Sequence, residues 1–145
     1  MRYQEVYRRS IVNPDGWREA AQQIDWLRPF DRVVDISRSP FSAWFSGGEL
    51  NTCYNALDRH VAGGRADQVA LIHDSPVTGT VTKLTYREML NRVSRLAGGL
   101  KARGVTKGDR VVIYMPAVPE AVIAMLACAR PVSYTHLTLP TICSV

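Results

Sequence analysis

A capped amphipathic helix constrains the fold of this chain more than any other part of its sequence. Residues 85–88 read Thr-Tyr-Arg-Glu, the pattern of a capping box, in which the threonine and glutamate side chains each bond a backbone amide. From Tyr86 onward, apolar residues lie at offsets 0, 3, 4, 7, 10, 11 and 14, which trace one continuous helical stripe. Gly104 follows where a glycine commonly ends a helix. The sequence therefore predicts a helix between Thr85 and Gly104.

Short apolar runs on either side of this helix predict strands. Residues 68–74 and 81–84 are separated by turn-forming residues, which indicates a β-hairpin. Residues 110–115 (RVVIYM) form a nearly continuous apolar run, typical of a strand buried on both faces of a parallel sheet. Pro119 and Glu120 then open another apolar helix. This order of elements predicts an α/β fold containing part of a doubly wound sheet.

The first part of the chain has the patterns of short helices. Residues 3–11 and 17–24 each place apolar side chains on one helical face, and Asn13 is the candidate cap of the second helix. Residues 29–40, bracketed by prolines, are expected to be irregular. A further helical pattern occupies residues 51–61.

Aromatic and glycine residues mark places where the chain is expected to pack closely. Phe41, Trp44 and Phe45 form an aromatic cluster that is expected to pack a loop onto the core. A glycine pair at residues 63–64 should end the helical pattern that precedes it. The pair at residues 98–99 lies inside the capped helix, where two glycines cost about 1–2 kcal/mol relative to alanine. Close approach by a neighbouring element is the expected reason.

Single residues with chemical potential do not combine into a recognisable active site. His60, His73 and His136 are isolated histidines, which favours surface or structural roles. Residues 58–60 (Asp-Arg-His) form a candidate proton relay, although salt bridging or helix capping is favoured. Cys53 lacks a base partner and is interpreted as a small core residue. Phosphate-loop, nucleophile-elbow and zinc motifs do not occur, so no catalytic, cofactor-binding or metal-binding residue is predicted.

Charge and hydropathy narrow the expected partners and compartment. The net charge of +5 comes from scattered arginines, whereas nucleic-acid binders concentrate their basic residues, so no nucleic-acid partner is expected. No apolar stretch reaches the roughly 18 residues of a membrane span, and no apolar region of a secretory signal follows the first residues. The three cysteines are widely spaced, which fits a reducing compartment. A cytoplasmic protein without a membrane partner is therefore expected.

The last fifteen residues differ from the rest of the sequence. Residues 131–145 contain no charged residue, whereas the preceding part carries all 18 basic and 13 acidic residues. At that density, such a gap arises by chance about two or three times in a hundred. One interpretation makes residues 132–139 the next parallel strand. The favoured interpretation is a non-native tail, because Val132–His136 resembles the translation of a sequencing adapter that contains GTC TCT TAT ACA CAT.

Three parts of the sequence together resemble one enzyme family. They are the early helices, residues 41–61 (FSAWFSGGELNTCYNALDRHV) and residues 84–130, which include KGDRVVIYMP and PEAVIAMLACAR. They resemble the short-chain acyl-CoA synthetases of the AMP-forming adenylating family, which include propionyl- and acetyl-CoA synthetases. The resemblance covers residues 3–130. It implies a helical N-terminal extension over residues 1–65 and the incomplete start of an AMP-binding domain over residues 66–130.

The resemblance also implies an activity for the parent protein. Members of the family activate propionate or acetate with ATP and Mg to an acyl-adenylate, and CoA then displaces AMP to give acyl-CoA. ATP, CoA and Mg are expected in the full-length family, and none is expected to bind this fragment, which lacks the family's phosphate loop and catalytic lysine. The fragment itself is expected to be inactive. The alternative is a non-catalytic interaction module from the same N-terminal half, and a basic nucleic-acid-binding domain ranks last.

Overall fold

The computed structural model describes residues 3–130, which fall into two compact units. Unit 1 extends to Leu50, and unit 2 begins at Asn51. Both units contain helices and strands. The strand and the non-native tail that were alternatives for residues 131–145 lie outside the described residues. The predicted domain boundary after residue 65 remains a prediction.

Two short helices begin unit 1, as the sequence predicts. Helix α1 is Tyr3–Val12 and helix α2 is Trp17–Ala21, with one 3-10 turn at Pro14–Gly16 between them. Asn13 lies at the N-cap position of the 3-10 turn, but its side chain makes no capping hydrogen bond, so the predicted cap is confirmed in position only. The 3-10 turn starts with a proline, whose missing amide removes one of the donors that a helix start leaves without a partner.

Four short strands follow in unit 1 and pair as two antiparallel ladders. The strands are β1 (Trp26–Arg28), β2 (Arg32–Asp35), β3 (Ala43–Ser46) and β4 (Glu49–Leu50). β1 pairs with β4, and β2 pairs with β3. The expectation of an irregular segment at residues 29–40 is therefore wrong in part, because β2 lies within it. Its partner β3 begins only eight residues after β2 ends, and the two flanking prolines do not prevent this pairing.

Three aromatic rings pack together in unit 1. Trp26, Phe30 and Phe45 have ring centroids 5.1–5.6 Å apart, and the indole N–H of Trp26 donates to the carbonyl of Ala21 at 2.8 Å. Gly48 is required beside them, because a Cβ there would lie 2.6 Å from the Trp26 ring and 2.9 Å from Phe30. The aromatic packing and this glycine together fix the turn between β3 and β4.

The predicted aromatic cluster at residues 41–45 is only partly buried. Phe45 joins the packed rings, whereas Phe41 is 82% exposed and Trp44 is 51% exposed. Trp44 and Phe45 are neighbours in β3, and burial increases along this strand, from exposed Ala43 and Trp44 to half-buried Phe45 and Ser46. Only the end of the predicted cluster therefore packs inward.

Up to residue 130, unit 2 combines a hairpin with three helical segments. The first helical segment, residues 52–65, contains wide π-type turns at Tyr54–Asp58 and Val61–Arg65, and Gly64 breaks its geometry with φ +81°. The other elements are β5 (Val69–Ser75), β6 (Thr80–Thr85), α3 (Tyr86–Ala102) and α4 (Pro119–Ala129). The antiparallel pairing of β5 with β6 confirms the predicted hairpin.

Helix α3 forms as its sequence predicts. The Thr85 hydroxyl accepts from the Glu88 amide at 3.3 Å, and the Glu88 carboxylate accepts from the Thr85 amide at 2.8 Å, which completes the capping box. These hydrogen bonds hold the pKa of Glu88 below its usual value. At the other end, Gly104 has φ +87°, a left-handed conformation that suits glycine.

One apolar cluster forms the core of unit 2 between α3, α4, the first helical segment and the hairpin. Its buried members are Cys53, Leu57, Leu84, Met89, Val93, Ala97, Ile123, Ala127 and Ala129. The predicted stripe of α3 supplies three of them, at residues 89, 93 and 97. The predicted burial of α4 holds for most of its length, although Val122 and Met125 remain 38% and 45% exposed.

Two expectations for unit 2 are wrong. Residues 110–115 belong to no β-ladder in the described part of the chain. A parallel strand takes its hydrogen bonds from neighbouring strands, and none of the described strands lies beside this segment. No described atom approaches within 4 Å of a Cβ built at Gly98 or Gly99, so close approach does not explain these glycines within residues 3–130.

Candidate functional site

An ion pair joins the end of α4 to the first helical segment of unit 2. Arg130 Nη1 donates to Asp58 Oδ2 at 2.7 Å, and Arg130 Nη2 donates to Asp58 Oδ1 at 2.9 Å. The two side chains keep 30% and 23% of their surface exposed. Such a two-pronged guanidinium–carboxylate contact is among the stronger polar interactions in proteins. We call it the Arg130–Asp58 pair.

Two further contacts hold Arg130 in place. Its Nη1 also donates to Cys53 Sγ at 3.6 Å, and its backbone carbonyl accepts from Asn51 Nδ2 at 3.4 Å. The hydrogen bonds with Asp58 are the largest cause of a raised Arg130 pKa, so this residue keeps its positive charge at all pH values of interest. The end of α4 is therefore fixed by Cys53 and Asp58 of the first helical segment and by Asn51, which directly precedes it.

Cys53 is held as a neutral thiol within this cluster. Its side chain is fully buried, and burial raises its pKa above the ordinary value, although the hydrogen bond and the positive charge of Arg130 act in the opposite direction. The thiolate is the nucleophilic form of cysteine, and a raised pKa makes it scarce at neutral pH. The interpretation of Cys53 as a core residue agrees with its place in the apolar cluster.

The candidate proton relay at residues 58–60 does not assemble. Each member bonds a different neighbour: Asp58 bonds Arg130, Arg59 bonds Asn55, and His60 bonds Arg65. Salt bridging, the favoured interpretation, is confirmed for Asp58. Its partner, Arg130, is 72 residues away in sequence. The sequence signal for this contact is limited to an isolated arginine at the end of an apolar helix.

The two described histidines occupy separate places. His60 Nδ1 lies 3.2 Å from Arg65 Nη1, and its ring centroid lies 4.8 Å from that of Tyr86. Since a guanidinium can only donate, Nδ1 is the acceptor in this contact. His73 lies in β5 opposite Thr82 of β6. His136 lies outside the described residues.

Unit 1 has an open groove of its own between α1 and α2. Apolar side chains of Val6, Trp17 and Ala20 line it together with polar and charged ones, among which Arg9 Nη2 lies 3.4 Å from Glu19 Oε2. The two charges satisfy one another on an exposed surface, where such a pair contributes little free energy. The groove therefore has a concave surface, but its lining residues include no catalytic group.

The described residues do not fit a magnesium site. No group of three or more His, Cys, Asp or Glu side chains within residues 3–130 is placed to hold a metal ion. The Asp58 carboxylate, which Mg²⁺ would favour as a ligand, is already engaged on both oxygens by Arg130. In the same range, no helix is both long and apolar enough to cross a membrane.

Family models match nearly the whole described chain. Residues 3–56 match the model described as "Acetyl-coenzyme A synthetase N-terminus", and residues 57–139 match the model described as "AMP-binding enzyme". The two matches meet close to the division between unit 1 and unit 2.

Individual relatives agree with these models. The chain is 50% identical over 129 residues to "Acyl-CoA synthetase short-chain family member 3, mitochondrial" of Bos taurus, covering 88% of the chain and 19% of the relative. It is 50% identical over 119 residues to "Acetyl-coenzyme A synthetase" of Paraburkholderia phymatum, covering 82% and 18%. The chain thus spans about a fifth of the length of these curated relatives.

A solved structure matches the fold as well. It is "Acetoacetyl-CoA Synthetase from Streptomyces lividans", which superposes with a TM-score of 0.78 at 34% identity over 89% of this chain and 20% of that one. This match confirms the α/β fold class and the resemblance to the start of an adenylating enzyme.

Proposed function

We propose that the chain, which belongs to the AMP-binding enzyme family and is related to short-chain acyl-CoA synthetases, is part of an AMP-forming acyl-CoA ligase. The observation that carries the proposal is the pair of adjoining family matches, supported by relatives at 50% identity. Propionate or acetate is the proposed substrate, with ATP and CoA as co-substrates and Mg²⁺ accompanying ATP.

The proposed reaction follows from the chemistry of carboxylates. A carboxylate is a poor electrophile, so its oxygen first attacks the α-phosphorus of ATP and expels pyrophosphate. The thiol of CoA then attacks the carbonyl carbon of the acyl-adenylate, and AMP leaves with the electrons of the broken C–O bond. Both steps need groups that stabilise phosphate charge, which backbone amides of a glycine-rich loop commonly supply.

The described residues would serve this reaction as a scaffold. The apolar core of unit 2 and the Arg130–Asp58 pair fix α4 against the first helical segment, and Asp58 has no free oxygen for a metal ion. We therefore propose that the 145-residue polypeptide alone has no ligase activity. The purified chain should show no carboxylate-dependent exchange of radioactive pyrophosphate into ATP. Exchange above the level without carboxylate would contradict this.

A second experiment tests the parent enzyme. The source DNA is amplified across the codon for Arg130. If the reading frame continues, the longer protein that it encodes is assayed with propionate and acetate. Acyl-CoA and AMP formed in equal amounts support the proposal, and the ratio of kcat/KM for the two acids decides the substrate. A reading frame that stops soon after Val145 would instead favour the non-catalytic module.

The cytoplasmic location remains a prediction of its own. One relative, at 50% identity, is named as mitochondrial. Fractionation of the source cells with an antibody against unit 1 tests the location independently of activity.

A further inference from the structure

The side chain of Arg65 contacts three neighbours at once. Its Nη1 donates to His60 Nδ1 at 3.2 Å, its Nε donates to Gln68 Oε1 at 2.7 Å, and its Cζ lies 5.4 Å from the ring centroid of Tyr86. The ring of His60 also contacts that of Tyr86, with 4.8 Å between the centroids. We call these four residues the Arg65 cluster. The cluster joins the end of the first helical segment to the first residue of α3.

Backbone hydrogen bonds cross between the same two elements. The Gln68 amide donates to the Arg65 carbonyl at 3.1 Å, and the Arg87 amide of α3 donates to the Ala66 carbonyl at 3.0 Å. The two residues before Arg65 are glycines, and a Cβ built at either one would meet no described atom within 4 Å. Among the described residues, the turn is therefore held to α3 by the Arg65 cluster and by these backbone hydrogen bonds.

The contact between Arg65 and His60 depends on the protonation of the imidazole. A guanidinium can only donate, so Nδ1 accepts in the neutral ring, and the ring carries its proton on Nε2. A proton from water that adds to Nδ1 turns this acceptor into a donor and places two cations beside one tyrosine ring. His60 is half-buried and Arg65 is exposed, so Arg65 is the side chain that can move away.

We propose that the Arg65 cluster is a pH-sensitive switch, in which protonation of His60 releases Arg65 and lets residues 61–68 open away from α3. Histidine is the side chain that ordinarily changes its charge between about pH 5 and pH 8. The turn is therefore held to α3 above this range and is released as the pH falls through it.

The charged residues that flank the cluster on the first helical segment and on α3 have partners of their own. They are Asp58 with Arg130, Arg59 with Asn55, Arg87 with Asp67, and Glu88 with Thr85. The carboxylate of Asp58, two residues before His60, accepts from Arg130 with both oxygens. Hydrogen bonds hold the pKa of Glu88 below its usual value, so this carboxylate stays ionised where histidines titrate. Protonation of His60 is therefore the charge change that the switch uses.

Amide hydrogen exchange of the full chain, followed by NMR at about pH 7.5 and about pH 5.5, tests the switch. The amides of Gln68 and Arg87 are the reporters. After correction for the intrinsic pH dependence of exchange, their protection should fall about two- to fivefold at the lower pH, the range of an exposed polar pair. The Arg103 amide, which donates to the Gly99 carbonyl at the other end of α3, is the reference and should not change. An equal fall at Arg103 would show a loss of stability of the whole helix and would overturn the proposal.

Histidine variants identify the group that titrates. His60→Gln supplies a neutral acceptor for Arg65 at both pH values, so the protection of the reporter amides should become independent of pH. The matched control combines His73→Gln with His136→Gln, which leaves His60 as the only histidine and should keep the full response. A response that persists in His60→Gln, or one that disappears in the control, would overturn the proposal.

A variant of the donor tests the direction of the effect. Arg65→Met keeps the aliphatic part of the side chain and removes the guanidinium, so the reporter amides should have the lower protection at both pH values. Unchanged protection at Arg103 verifies that α3 is folded in each variant. If protection in the unmodified chain is equal at the two pH values, Arg65 moves without opening the turn, and the proposal is wrong.

Discussion

Replacing Asp58 by asparagine measures how strongly the Arg130–Asp58 pair stabilises unit 2. Asparagine keeps the size of the side chain but removes the charge that faces the guanidinium. An exposed ion pair contributes about 0.2–1 kcal/mol, and removal of one partner from a fully buried pair costs about 3–5 kcal/mol. With 30% and 23% of the side-chain surfaces exposed, the pair lies between these limits. Since hydrogen bonds to charged groups contribute about 1.5–3 kcal/mol, a loss of about 2 kcal/mol is expected.

The distribution of tryptophans supplies the assay. All three tryptophans lie in unit 1, whereas the longest helices, α3 with 17 residues and α4 with 11, lie in unit 2. Tryptophan fluorescence therefore follows unit 1, and far-ultraviolet circular dichroism mainly follows unit 2. With an m-value of about 1.5 kcal/mol per molar urea, the dichroism midpoint of Asp58→Asn should fall by about 1.3 M. The fluorescence midpoint should stay unchanged.

A matched ion pair in the same unit provides the control. Arg87 Nε lies 3.2 Å from Asp67 Oδ1, but these side chains are 57% and 87% exposed. Asp67→Asn should therefore cost less than about 0.5 kcal/mol. Equal effects of the two substitutions would refute the argument that the enclosure of the Arg130–Asp58 pair sets its contribution. An unchanged dichroism midpoint for Asp58→Asn would refute it as well.

Four local substitutions test other features of the fold by the same urea measurements. Thr85→Ala should lower the stability of unit 2 by about 1 kcal/mol, because it removes the helix cap. The lowered pKa of Glu88 means that its carboxylate stabilises α3 above its ordinary pKa of 4.5 and loses that effect as the pH falls through the lower folded value. Thr85→Ala should therefore weaken the acid dependence of unfolding. Gly98→Ala should stabilise unit 2 by up to about 1 kcal/mol, whereas Gly104→Ala should destabilise it, since only the latter has positive φ. Gly48→Ala should lower the fluorescence midpoint, because its Cβ would lie 2.6 Å from an indole ring.

Elements with local causes could be predicted from the sequence. The capping box and the apolar stripe define α3, and both depend on residues within one or two turns of each other. The hairpin of β5 and β6 has the same local character, since only a short turn separates its strands. The proline at the start of α4 similarly marks the helix that the structure contains.

Features that depend on distant partners could not be predicted. Arg130 reaches Asp58 from 72 residues away. β2 is a different case, because its partner β3 begins only eight residues after β2 ends, and the flanking prolines indicated an irregular segment. For residues 110–115 the apolar pattern is correct, but no described strand supplies the hydrogen bonds that a ladder requires. For Arg130 and for residues 110–115, the side-chain pattern limits the contacts that a residue can make. The neighbouring element in the folded chain determines which of these contacts forms.

Two buried cysteines allow the local opening of this protein to be measured at two positions. Cys53 and Cys128 are 0% and 6% exposed, and burial raises the pKa of both thiols. The thiolate attacks an alkylating reagent and displaces its leaving group, so modification proceeds from transiently opened molecules, and its rate measures the free energy of opening. Mass spectrometry resolves the two sites. The labelling rate of Cys53 would then measure the separation of Arg130 from the first helical segment. The labelling rate of Cys128 would measure the fraying of α4.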